Sequence, residues 1–170
     1  MNSILHIKKN GISSDALKWI ALITMLIDHT GASVLEKIPQ YNTVDWVFQL
    51  DLVLRFIGRI AFPIYCFLLV EGFWKTHNRK KYALNLLIFA IISEIPFEIS
   101  FMGRLDIGFH NVYWTLLLGL ILMMVLEEIK VRWADKYNLL AILAVAVLAG
   151  TAQLVDTDYA AIGFLLIFIL

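Results

Sequence analysis

The chain has 170 residues, 61% of them hydrophobic and 16% charged, with a formal net charge of zero and a mean hydropathy of +0.79. Soluble domains average about 45 to 50% apolar and 25% charged residues, so a water-soluble globule would keep apolar surface it could not bury, and the balanced charge offers no field to a nucleic acid. The expected fold class is all-α: a polytopic helical membrane protein with the lipid bilayer as its solvent.

The first ten residues, MNSILHIKKN, lack the apolar core of a secretory signal, so the first spanning helix must direct insertion itself. That helix is predicted to start at Ser14 or Asp15, either of which can cap it, and to end between Gly31 and Leu35. Leu35 to Trp46 reads as a loop around Pro39, with Trp46 and Phe48 suited to a membrane interface. Asp51, Arg55 and Arg59 introduce the second helix; their spacing puts them on one face, with Asp51 supporting Arg55. The apolar run Ile60 to Trp74 continues it, and its single cysteine, Cys66, reads as a small buried hydrophobe. A third helix is predicted over Tyr82 to Met102, a fourth over Val112 to Leu126 and a fifth over Asn138 to Val155. The last begins at Tyr159 and has about twelve residues before Leu170, where about twenty are needed to cross the hydrocarbon. The expectation is about five full transmembrane helices plus an incomplete sixth, in one domain over residues 1–170 that is truncated at its C-terminus.

Basic residues orient these helices. Lys8 and Lys9, then Lys75, Arg79, Lys80 and Lys81, then Lys130, Arg132 and Lys136 fall on alternate connections that share a side, against Lys37 and Arg104 on the other. The expected location is the plasma (inner) membrane, with multiple passes and a cytoplasmic N-terminus.

On that topology the ionisable groups converge. Asp28 and His29 lie in the outer half of the first helix, Arg55 and Arg59 in the outer half of the second, and Glu94 and Glu98, one turn apart, in that of the third. His110, Asn111 and Thr115 introduce the fourth helix at the same level, and Asp156 and Asp158 fall in an outer loop. Charges in a membrane span cost roughly 2.5 to 3.5 kcal/mol each on insertion scales and mark functional sites by default. Plainer roles exist: arginine–glutamate pairs that hold helices in register, a Thr115 hydroxyl bonded to a helical carbonyl, solvated loop acids. Arg59 is expected to contact an acid of the third helix, since unpaired charges at that depth are costly. Pro63 and Pro96 free the carbonyls of Arg59 and Ile92, and freed backbone at membrane depth is tolerated where it is buried or lines a wet cavity. A polar cavity in the outer half is therefore predicted. No zinc motif, P-loop or GxGxxG is present, and no metal is expected.

The stretches LKWIALITMLIDHTG, RFIGRIAFPIYCFLLVEGFWKTHN, ISEIPFEI, NVYWTLLLG and DTDYAAIGFLLI together resemble the TraX family, integral membrane proteins named for the enzyme that N-acetylates conjugative F-pilin. Lys18 and His29, with ten residues between them, also resemble the signature of the wider transmembrane acyltransferase superfamily. The resemblance implies acetyl-CoA as donor substrate and acetyl transfer as the reaction. It carries onto Asp28, His29, Arg55, Arg59, Glu71, Glu94, Asn111 and Thr115 as members of the matching blocks, and leaves the acceptor open between a pilin N-terminus, a glycan or another envelope molecule.

Set on these residues, the chemistry takes His29 as general base, a role suited to a group that titrates near pH 6.5. Asp28 or an acid from another helix such as Glu94 orients its ring, and Arg55 or Arg59 meets the oxyanion or the donor phosphates. Lys18 shares a helix face with His29, roughly 16 Å away along the axis, so Lys18 and Lys75 are assigned to the donor phosphates. Glu98, His110, Asn111, Thr115 and Asp158 are assigned to the acceptor. The rival classes are a proton- or anion-coupled transporter built on the same charges, and a structural membrane component.

Overall fold

A computed structural model describes residues 11–41, 43–104, 108 and 110–170. Seven α-helices follow one another, with no strand among the described residues: α1 (Ser14–Val34), α2 (Asp45–Gly58), α3 (Ala61–Lys75), α4 (Arg79–Met102), α5 (Val112–Arg132), α6 (Tyr137–Leu154) and α7 (Ala160–Ile169). Polar residues set the starts. Ser13, one residue before the two expected caps, accepts from Ala16 N at 3.1 Å and opens α1. Asn78 accepts from Lys81 N to open α4, and Asn111 from Tyr113 N to open α5. Each satisfies an amide that the first turn leaves without a helical partner.

The expected second helix is two helices, broken at Arg59–Ile60. Pro63 has no amide to give the Arg59 carbonyl and sits in the first turn of α3, where a missing donor costs nothing. The loop before it is shorter than expected, since α2 already includes Trp46 and Phe48. α5 runs to Arg132 instead of Leu126, its last turns tied by Arg79–Glu127 and Arg132–Glu128 ion pairs.

Four stretches among the described residues, Asp45–Lys75, Arg79–Met102, Val112–Arg132 and Ala134–Leu154, are long and apolar enough to cross a membrane. α1 has the length but carries Lys18, Asp28 and His29, and α7 has ten residues. The surface agrees with a multi-pass membrane protein. Trp19, Leu26, Phe56, Ile92 and Ile142 are exposed, while Asp51, Glu98, Asn111, Thr115 and Thr157 are buried. Water reverses that distribution, and lipid favours it.

α1 packs on α2 and α3, and α5 lies at the centre against α3, α4, α6 and α7. The α1–α2 contact is close because of a glycine: a Cβ at Gly58 would stand 2.1 Å from Asp28 Cβ. That approach decides the pairing. Arg55 reaches across to Asp28 at 2.7 Å and to Glu36 at 3.7 Å, not along its own helix to Asp51. Asp51 instead accepts from the Tyr41 hydroxyl at 2.9 Å.

The molecule has two polar ends. Ser14 bonds Glu71 and Arg79 bonds Glu127, which brings the start of α1, the α3–α4 connection and the end of α5 together. Lys37 donates to the Ser100 carbonyl, and His110 bridges to Thr157, at the opposite end. Of the residues read for orientation, Lys75, Arg79, Lys80, Lys81, Lys130, Arg132 and Lys136 lie on connections of the first end, and Lys8 and Lys9 lie outside the described residues.

Candidate functional site

At the first end a cleft of about 630 Å³ opens between α1, α3, α4 and α5. Lys18, Lys75 and Lys81 supply its cations, and Tyr65, Tyr82 and Tyr113 its aromatic wall. The cations are lightly held. Lys18 pairs with Asp15 at 2.9 Å one turn back, and Lys75 with Glu71 at 2.6 Å in the same helix. Glu71 also accepts from the Ser14 hydroxyl at 2.7 Å, which fixes α1 against α3.

Two smaller cavities lie toward the other end. One, of about 240 Å³, is lined by Met25, Ser93, Pro96, Asn111 and Tyr113 among others. The second, of about 330 Å³, is lined by Asp28, Glu36, Arg55, Arg59, Phe101 and Tyr159. Tyr113 belongs to both the lysine cleft and the first of these. His29, Phe97 and Asp158 belong to both small cavities and so stand at the neck between them. The three spaces form a row.

The neck is built from three elements. α1 supplies His29, whose ring is framed by Phe97 at 6.4 Å and, edge-on, by Phe101 at 5.1 Å, both from α4. No hydrogen bond to the imidazole is present among the described residues, so it is open to a ligand. The α6–α7 loop supplies Asp158. Burial pushes its carboxyl up to about 6, against the lowering effect of a hydrogen bond from its neighbour's backbone at Tyr159.

That loop is held in an unfavourable shape. Asp156 at φ 51° and Tyr159 at φ 63° are both left-handed, a conformation that costs a bulky residue roughly 1 to 2 kcal/mol. Stacking on Phe62 at 3.8 Å holds Tyr159. His110 N donates to the Asp156 carbonyl at 3.1 Å, Asp158 N donates to the His110 carbonyl at 2.9 Å, and the Thr115 hydroxyl donates to the Asp158 carbonyl. Strain of this kind persists only where the surroundings over-determine it, and it clusters at functional sites.

Glu94 has another place than the one expected. Its carboxylate gathers the Nδ1 of His110 at 2.7 Å, the Nε1 of Trp114 at 2.9 Å and the amide of Asn111, all at the start of α5, and it lines neither cavity beside His29. Asn111 also donates to the Ala90 carbonyl at 2.9 Å. Glu98 is buried and lines neither of those cavities. Arg59, at the break between α2 and α3, is exposed at the rim and makes no ion pair with Glu94 or Glu98; the donors on α5 have taken up Glu94. Of the expected acceptor residues, Asn111 and Asp158 face a cavity, while Thr115 is fully buried behind the loop it holds. Sequence reasoning passed over Phe97, Phe101 and Tyr113, and used Lys81 for orientation alone. The first two recur at a four-residue helical spacing on α4, a signal available in the sequence.

The fold and site define a multi-pass helical membrane protein with a histidine–carboxylate neck between internal cavities. Residues 13–170 match the model of the family described as "TraX protein", and the chain belongs to that family. It is 36% identical over 122 residues, 66% of its length, to the "Probable fimbrial assembly protein FimC, serogroup H1" of Dichelobacter nodosus. The matched part spans 46% of that relative. No solved structure matches the chain.

Proposed function

We propose that the chain is a membrane-embedded acetyltransferase that moves acetyl from cytosolic acetyl-CoA to an amine or hydroxyl acceptor at the outer side of the membrane. The observation that carries this reading is the row of cavities from the lysine cleft, past Tyr113, to the neck at His29. Lys18, Lys75 and Lys81 suit the donor's phosphates, which cannot rest in hydrocarbon. The narrow space beyond Tyr113 suits its long thin arm. His29, unspent on any partner among the described residues, is the general base, and Arg59, the cation at the rim, meets the oxyanion. Arg55 is excluded from that task because Asp28 engages it. Acetylation is the family's namesake reaction, and a relative named for fimbrial assembly favours an acceptor among fimbrial or other envelope molecules. The basic residues of the cleft end favour a cytoplasmic N-terminus.

Membranes bearing the protein, incubated with acetyl-labelled acetyl-CoA, test the reading. Label is expected in an acceptor, falling about 100-fold or more with His29→Ala at unchanged protein level while donor binding persists. Flux driven by a pH gradient without label transfer would establish the transporter instead. Sealed inside-out vesicles that acetylate only acceptors on the cytoplasmic face would refute the crossing.

A further inference from the structure

We propose that Asp158 is the acid–base partner of His29, and that the Glu94–His110 pair is the device that aims it. The inference rests on the acetyl-transfer reading and deepens it.

Asp158 and His29 are the two titratable side chains shared by the cavities on either side of the neck. A donor entering from the lysine cleft and an acceptor entering past Arg59 meet between them. Asp28, the acid beside His29 in sequence, is engaged by Arg55 at 2.7 Å and packed on Gly58. Asp158 has no ion pair among the described residues. Its backbone, in contrast, is held on both sides: its N–H donates to the His110 carbonyl and its carbonyl accepts from the Thr115 hydroxyl, while the His110 N–H holds the Asp156 carbonyl two residues earlier. Glu94 holds the His110 ring, so a chain of contacts runs from α4 through His110 to the loop.

The neck performs a balanced transfer in which Asp158 starts protonated and His29 neutral. The acceptor's lone pair forms the bond to the thioester carbonyl carbon, and its N–H or O–H proton passes to His29. The carbon–sulfur bond breaks with its electron pair on sulfur, and the Asp158 carboxyl proton neutralises the thiolate. The proton on His29 then returns to Asp158, leaving acetylated acceptor, free thiol and both residues as they began. Thiols titrate near 8.5, so a carboxyl raised to about 6 gives its proton to the thiolate downhill, while a tenth of it remains protonated near pH 7. The groups around Asp158 are Asp28 and His29 from α1, Glu36 after it, Arg55 from α2, Arg59 at the break and Tyr159 beside it.

The test uses the full chain in membranes with labelled acetyl-CoA. Asp158→Asn is expected to lower turnover about 100-fold or more, with the KM for acetyl-CoA unchanged, and to remove the limb of the pH profile near 6. Asp158→Glu, which keeps a carboxyl, is expected to recover part of the rate. Glu94→Gln is expected to lower turnover about 10- to 100-fold through misplacement, and to cause no further loss in the Asp158→Asn background, since residues acting through one group are not additive. Label transfer by the wild type that survives Asp158→Asn overturns this inference alone. A Glu94→Gln loss that adds fully to that of Asp158→Asn overturns the positioning role. Absence of transfer by the wild type overturns the acetyl-transfer reading and this inference with it.

Discussion

The two polar ends of the molecule both carry ties between helices, Ser14–Glu71 and Arg79–Glu127 at the first and Arg55–Asp28 at the second, but they hold their cavity-lining charges in different ways. In the lysine cleft, two of the cations pair within one helix, Lys18 with Asp15 and Lys75 with Glu71, and their side chains remain 63% and 68% exposed. At the histidine end the ties run between elements: Arg55 of α2 to Asp28 of α1, Glu94 of α4 to the start of α5, and His110 to the α6–α7 loop. A pair within a helix leaves long side chains mobile and adds charge without shape. A pair between helices fixes the position of one backbone against another. The first arrangement suits holding a flexible polyanion, and the second suits placing reacting groups to a fraction of an ångström.

The largest effect expected from that difference is at Arg55. Removing one partner of a part-buried ion pair leaves the other uncompensated, at a cost of about 3 to 5 kcal/mol for a fully buried pair and toward the lower figure here. Arg55→Ala should therefore lower thermal stability by several degrees, and Arg55→Ala with Asp28→Asn should recover part of the loss. If the double variant were no more stable than Arg55→Ala, the cross-helix pair would not be what holds α2 on α1.

Arg55 also shows where the sequence stops being legible. The helices were readable from apolar runs, because helix formation depends on neighbours three and four residues apart, while the caps at Ser13 and Asn78 were not read. Nor was the partner of Arg55. Spacing favours Asp51 on the same helix, while the actual choice depends on Gly58 letting α1 approach within reach of Asp28, a fact of tertiary packing. Glu94 stood out as an acid within an apolar span, but its three donors come from residues beyond a loop, so its holding role had no sequence signal. Topology alone put Asp158 at the same end of the helices as His29, and the two line the same cavities. The left-handed residues that shape its loop are Asp156 and Tyr159, and tyrosine gives no hint of positive φ.

The next effect is on stability and concerns Asp158 itself. Asp158 titrates near 3.8 when unfolded and at about 6 in the fold, so the native chain binds its proton more tightly. The stabilisation this gives is complete below about pH 4 and is lost as pH rises through 6. At pH 7.5 the burial of the ionised carboxylate costs on the order of 3 kcal/mol. Asp158→Asn should therefore be more stable than the wild type at pH 7.5, by a margin that narrows as the pH is lowered toward 5. A histidine end that becomes more stable when its acid is removed, while turnover falls, has the signature of a group kept for chemistry. Equal stability of the two chains across pH 5 to 8 would mean that Asp158 is solvated and its burial without consequence.

The smallest effect is expected at the lysine cleft, and it is where the two ends are most sharply told apart. Exposed pairs such as Lys18–Asp15 contribute about 0 to 1 kcal/mol, so neither Lys18→Ala nor Lys75→Ala should change stability measurably. Their loss should appear in donor binding. Each removes one of three cations facing the cleft, and a charge-assisted contact to phosphate with much solvent nearby is expected to change the KM for acetyl-CoA about 3- to 10-fold, with turnover unaffected. Because the interaction is exposed, the effect should shrink as salt is raised from 50 to 500 mM. A donor analogue lacking the 3′-phosphate should lose affinity for the wild type and show less difference between wild type and Lys18→Ala. If Lys18→Ala instead lowered turnover with donor affinity and its salt dependence unchanged, Lys18 would be acting along α1 on His29, and the division of labour between the two ends would fail.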